Sequence, residues 1–135
     1  VNGSQYTTNP SFLSFPLKGV TYVELPSGGI WNSSNIDGTG ILVIHNNTLN
    51  AVIKNENMGT FRGIIIADDI VHIHTTIIGA IIALTPSPSE GSTIGNGSGN
   101  VLFSRKALIN GIGEIINAAN FGFAKTRITI SYWYE

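Results

Sequence analysis

The three histidines and the carboxylates near them are the residues whose types and spacing could do chemistry. His45 follows Gly40 by five residues, and Asp68 follows Gly63 by five. If those glycines mark equivalent points of a repeat, the imidazole and the carboxylate sit on neighbouring strands. They then form a hydrogen-bonded or charge-paired step of a structural ladder. His72 and His74 are two apart and would share one face of a strand. With Asp68 and Asp69 nearby, His72, His74 and Asp68 are the candidates for zinc or another divalent metal. A third ligand at a suitable spacing is missing, and a polar ladder accounts for the same residues, so no metal and no cofactor is expected. Counting back from Gly63 and Gly79 sets Glu56 over His72 and Met58 over His74.

Asp68, Asp69, Glu56 and Arg62 form the one cluster of acids and bases that a polysaccharide hydrolase or lyase could use. Many glycoside hydrolases need two carboxylates converging on a bond, whereas adjacent strand residues point to opposite faces. The expectation is a protein that is not an enzyme. Asn2, Asn32, Asn46 and Asn96 each open an Asn-x-Ser/Thr triplet, a glycan acceptor in the right secretory setting.

The elements that position these residues are set by a glycine-led repeat. Gly40-Ile41-Leu42-Val43-Ile44, Gly63-Ile64-Ile65-Ile66-Ala67, Gly79-Ala80-Ile81-Ile82-Ala83-Leu84 and Gly99-Asn100-Val101-Leu102-Phe103 recur at intervals of 23, 16 and 20 residues. Short strands at a period of about 20 residues mark a solenoid, whose turns bury their apolar faces by stacking. A β-sandwich is the alternative, but a sandwich strand alternates because one face meets water. Ile64-Ile65-Ile66 and Ile81-Ile82 do not alternate. The pattern predicts an all-β chain: a short, right-handed parallel β-helix with coils over about 40–104. Ile41, Ile64 or Ile65, Ile81 and Val101 are expected to stack in ladders.

Around that repeat, residues 1–18 read as an N-terminal arm and 19–135 as a single solenoid domain. Gly19 to Leu25 alternates as a first strand, and Pro26-Ser27-Gly28-Gly29 is its turn. Thr85 to Gly91 is an excursion from the coil, and Gly95 to Gly99 a glycine-heavy corner. Ser104 can cap a helix over about 105–119 with Ala107, Leu108, Ile112, Ile115, Ile116 and Ala119 on one stripe. Gly111 and Gly113 weaken it, so a short or broken helix covering part of the solenoid is expected. The alternating, aromatic stretch at about 126–134 predicts a last strand.

Composition bounds the rest. Charged residues are 11% of 135 and the net charge is −1, which gives no clustered cationic footprint for nucleic acid. Without cysteine, neither disulfides nor thiolate metal sites hold the fold. No apolar run is long enough to span a membrane as a helix. A chain that opens on Val1 is expected to be processed or excerpted, with any signal or anchor segment upstream.

Residues 19–108 resemble the C-terminal solenoid region of the PilX-like, type IV pilus-associated proteins of bacteria. The resemblance is carried by Gly19-Val20-Thr21-Tyr22, by Gly38 to Asn46, by Thr60 to Asp69, by Ile70 to His74 and by Ile78-Gly79-Ala80. It continues through Ile94 to Gly99 and Val101 to Ser104. It implies a structural, non-enzymatic surface component and supplies no catalytic residues. The expected function is an extracellular or cell-surface structural protein, pilus-associated or filament-forming. Its partners would be copies of itself or other filament subunits. Phe12, Phe15, Tyr132, Trp133 and Tyr134 are the candidate assembly residues, because neither chain end is guarded by charge. The alternative is a carbohydrate-binding or carbohydrate-cleaving surface module, which exposed Trp31, Tyr132 and Trp133 in one cleft would favour.

Overall fold

The computed structural model describes residues 3–33, 35–56, 59–89 and 100–118. The described residues are mostly β, with one α-helix. In order come β1 (Gln5–Thr7), a 3-10 turn (Pro10–Phe12), β2 (Val20–Glu24), β3 (Ile30–Asn32), β4 (Gly38–His45) and β5 (Val52–Glu56). They are followed by β6 (Thr60–Ala67), β7 (Asp69–Ile73), β8 (Thr76–Ala83), β9 (Val101–Phe103) and the helix α1 (Arg105–Ala118). One sheet has six strands in the order β1-β2-β4-β6-β8-β9; the other has three, β3-β5-β7. From β2 to β8 the chain alternates between them, and every pairing of these strands is parallel.

Glycine sets the register. Gly40 pairs with Gly63 and Gly63 with Gly79, all at positive φ (118°, 147° and 151°). A Cβ at any of them would run into the carbonyl oxygen of the glycine one pass earlier: Gly19, Gly40 and Gly63 respectively. Only glycine allows both that backbone conformation and that approach. Downstream of this column the side chains stack. Leu42, Ile65 and Ile81 stand in one inward column, and Ile44, Ala67 and Ala83 in the next. Trp31, Ile53 and Ile70 face them from the three-stranded sheet. Ile65, Leu42, Ile44, Ile53, Phe61 and Ile77 are fully buried.

The isoleucine triplet resolves into one inward residue, Ile65, flanked by half-buried Ile64 and Ile66 on the outer face. Helix α1 crosses that outer face over β4, β6 and β8. It runs unbroken through Gly111 and Gly113, where the glycines suggested a break. The reason is packing: buried Gly111 lies against the glycine column, nearest Gly40 and Gly63.

Two expectations on register are corrected. Ile41 stacks with Ile64 and Ala80, not with Ile81. Val101 pairs with Ile77, and it is Phe103, not Gly99, that meets Gly79; the intervening excursion shifts the phase of the last repeat by four residues. Over the described part of residues 1–18, β1 pairs in parallel with β2 of the same chain. Leu17 is buried and Leu13 packs against the core. The strand expected at about 126–134 and the corner at Gly95 to Gly99 lie outside the described residues.

Candidate functional site

The outer face of the six-stranded sheet carries two polar and aromatic columns close to its N-terminal edge. Strand register places Glu24 beside His45, and Tyr6 beside Tyr22 and then Val43. Asp68 follows directly on β6, and its amide donates to the Ile44 carbonyl at 3.0 Å.

The His45 Nδ1 lies 2.6 Å from Asp68 Oδ1. Asp68 is fully buried, and its other oxygen accepts the amides of Asn46 (2.8 Å) and Ala51 (3.1 Å). A carboxylate with this set of donors needs no further partner. It requires a proton on His45 Nδ1, which leaves Nε2 as the ring's free position. Asn46 next door is also buried and reaches Pro26 and Asn50 through Nδ2, while its Oδ1 accepts from Thr48 and Asn50. This corner is a closed network, and it occupies the Asn46 amide that a glycan would need.

From His45 the contacts run outward. The His45 ring meets Tyr22 edge-on at a centroid distance of 6.5 Å, and Tyr22 stacks on Tyr6 at 5.8 Å with planes 21° apart. The Tyr6 hydroxyl donates to Glu24 Oε2 at 2.6 Å. That bond, followed by partial burial and the Glu24 charge, raises the Tyr6 pKa above its ordinary value. The Tyr22 pKa is also raised, first by burial and then by the charges of Glu24 and Asp68. Both rings are neutral hydroxyl-bearing surfaces at physiological pH. Tyr6 itself is 64% exposed.

The strand that carries Tyr6 is held from behind. The Gln5 amide donates to the Ser14 carbonyl (3.0 Å) and accepts from the Ser14 amide (2.9 Å). Asn9 caps the 3-10 turn between them.

The remaining candidates stand apart. His72 sits on β7 at positive φ (54°), half-buried, and His74 lies just beyond that strand. Glu56 pairs with Ile73, one residue past His72. The offset runs through the whole β5–β7 pairing, from Val52 with Asp69 onward, whereas the sixteen-residue spacing of Gly63 and Gly79 belongs to the other sheet. Met58 lies outside the described residues. Among the described residues no three His, Asp or Glu side chains are placed to hold a metal. Asp69 serves the Thr85 excursion: its Oδ2 accepts the Ser89 amide and hydroxyl, and Oδ1 the Ile70 amide. Arg62 is exposed and lines an open cavity of about 240 Å³ under α1 with Thr39, Ile78 and Lys106. Trp31 is buried on the inner face of β3, so it offers no platform in a cleft. Phe12 and Phe15 are exposed, 77% and 43%. Asn32 is exposed on β3. Tyr132, Trp133, Tyr134, Asn2 and Asn96 lie outside the described residues.

Tyr6, Tyr22 and Glu24 are the residues that the sequence reading passed over. The signal was present: Glu24 follows Gly19 by five residues, as His45 follows Gly40 and Asp68 follows Gly63. Starting the alignment one glycine earlier sets Glu24, His45 and Asp68 in one column. No family model matches the chain, and no curated protein or solved structure matches it either.

Proposed function

We propose that the chain is a short, right-handed parallel β-helix that works as an extracellular or cell-surface structural protein, similar to PilX-like pilus-associated proteins. It acts through contacts with copies of itself or other filament subunits. The alternation of the strands between two parallel sheets supports the coil reading.

The observation that carries assembly is where the exposed apolar side chains fall. Of the four inner strands of the six-stranded sheet, β2, β4 and β6 carry none of the large exposed ones, and β8, next to the edge strand β9, carries one, Ile82. At one end Phe12 and Phe15 are exposed; at the other, Val101, Leu102 and Phe103 on β9, with Ile82 and Leu84 beside them. Among the described residues both ends are strand edges, and neither β1 nor β9 carries a charge. An edge of this kind, unguarded by charge or proline, is a template for another chain. Contacts between two different ends do not close on themselves and propagate.

Sedimentation of the purified protein over a concentration series, with negative-stain imaging, tests this. Concentration-dependent head-to-tail oligomers are expected. Phe12→Lys and Phe103→Lys should each give folded monomers, and an equimolar mixture of the two should recover a dimer, since each variant keeps one intact end. A wild-type protein that stays monomeric throughout the series overturns the reading.

A further inference from the structure

We infer that the Tyr6–Tyr22 column, with Glu24 and His45 beside it, is a binding site for a neutral or N-acetylated oligosaccharide. The site lies near the N-terminal end and adds a ligand to the assembly reading.

The first support is order without burial. An exposed tyrosine normally keeps its rotamer freedom, because fixing it costs entropy. Tyr6 is 64% exposed, yet it is fixed by its stack on Tyr22 and its hydroxyl bond to Glu24. Its strand is fixed by the ladder on β2 and by the Gln5–Ser14 clasp. Tyr22 is in turn set against His45, and His45 against the buried Asp68. A flat ring is therefore presented to solvent on a preorganised support, which lowers the ordering cost of binding.

The second is the choice of free polar groups around that ring. Glu24 Oε1, His45 Nε2 and the Tyr22 hydroxyl make no hydrogen bond among the described residues. Two of these are acceptors when the imidazole is neutral, and the hydroxyl is both donor and acceptor. A pyranose has an apolar C–H face to lie on an aromatic ring and hydroxyls at its rim to donate to such acceptors. Anionic sugars are disfavoured by the carboxylates of Glu24 and Asp68. A cationic ligand is the other class with affinity for tyrosine and carboxylate, but cation recognition by aromatics relies on rings enclosing the charge. Here one face of Tyr6 is already taken by Tyr22, and the platform is open.

The experiment is calorimetric titration of the full chain with chitohexaose and cellohexaose, and with hexalysine and a polygalacturonate oligomer as contrasting probes. It is run on the wild type and on Phe103→Lys, so that a neighbour seated at the N-terminal end does not hide Tyr6. At least one neutral hexasaccharide should bind, with little dependence on salt. Tyr6→Ala should weaken it by about tenfold, the scale of one aromatic contact. Tyr6→Phe should keep most of the affinity, and Phe12→Ala, an exposed aromatic off the column, should leave it unchanged. The inference is overturned if neither hexasaccharide binds, if Tyr6→Ala binds as well as the wild type, or if Phe12→Ala loses as much. Salt-sensitive binding of hexalysine alone overturns it in favour of a cationic partner. Failure of this site leaves the sedimentation test of assembly untouched.

Discussion

At the residue scale, Asp68 is the anchor of the corner. Replacing it by Ala removes the acceptor of two buried amides and the partner of His45. The unsatisfied groups should cost about 3 kcal/mol in urea denaturation, whereas His45→Ala, which leaves both amide bonds in place, should cost less. Thr21 gives the opposite case. It is buried in the inward column with Leu42, and its hydroxyl has no partner among the described residues. Thr21→Val keeps the shape and removes the stranded hydroxyl, so it should stabilise the protein by about 1 kcal/mol. Tyr6 supplies a pH dependence. Its folded pKa is raised above the ordinary value of 10.0, so the fold favours the protonated phenol. That contribution is present in full below the unfolded pKa and is lost as pH rises through the folded one. Wild-type stability should therefore fall more steeply than that of Tyr6→Phe above about pH 10.

Elements are set by glycine, and two of the glycines make opposite predictions. Gly63 has φ 147° and no room for a Cβ beside the Gly40 carbonyl. Gly63→Ala must strain or separate the β4–β6 ladder and should cost at least about 2 kcal/mol. Gly111 sits in α1, and a Cβ there would stand 3.6 Å from the Gly40 carbonyl oxygen, an ordinary contact. Gly111→Ala should therefore be neutral or stabilising, by up to about 1 kcal/mol of helix propensity. Thermal melts of the two variants check the pair together. A stable Gly63→Ala protein would mean that the close pass of the glycine column is not needed by the fold.

For the whole molecule, the stack has one core and two ends. Ile65 lies fully buried between Leu42 and Ile81. Ile65→Asp would bury an unpaired charge, a cost comparable with the total stability of a domain. It should yield no cooperatively folded protein by circular dichroism. At the N-terminal end the segment already closes on its own sheet. Deleting residues 1–16 would bare the β2 edge and remove the packing of Leu13. Side-chain changes at Phe12 and Phe103 therefore isolate the ends more cleanly than truncation does.

The glycine-led isoleucine runs determined parallel strands stacked in register, from Gly40 through Gly79, because only glycine fits where one pass crosses another so closely. The same spacing brought His45 to Asp68. Local pattern reached no further than the repeat itself. At Val101 the sixteen residues from Thr85 to Asn100 reset the phase, and spacing alone carries no information about the path of an excursion. Residues 1–18 read as an arm because their composition lacks apolar runs, and β1 is held by backbone pairing, which any sequence can supply. Helix α1 survives two glycines because it packs across β4, β6 and β8, a contact that helix propensity does not report. Trp31 looked available for a ligand, and the tertiary structure spent it on the core; Tyr6 and Tyr22 looked ordinary, and the tertiary structure stacked them at the surface. Residue type and spacing decided what repeats, while contacts between distant segments decided which faces are left for a partner.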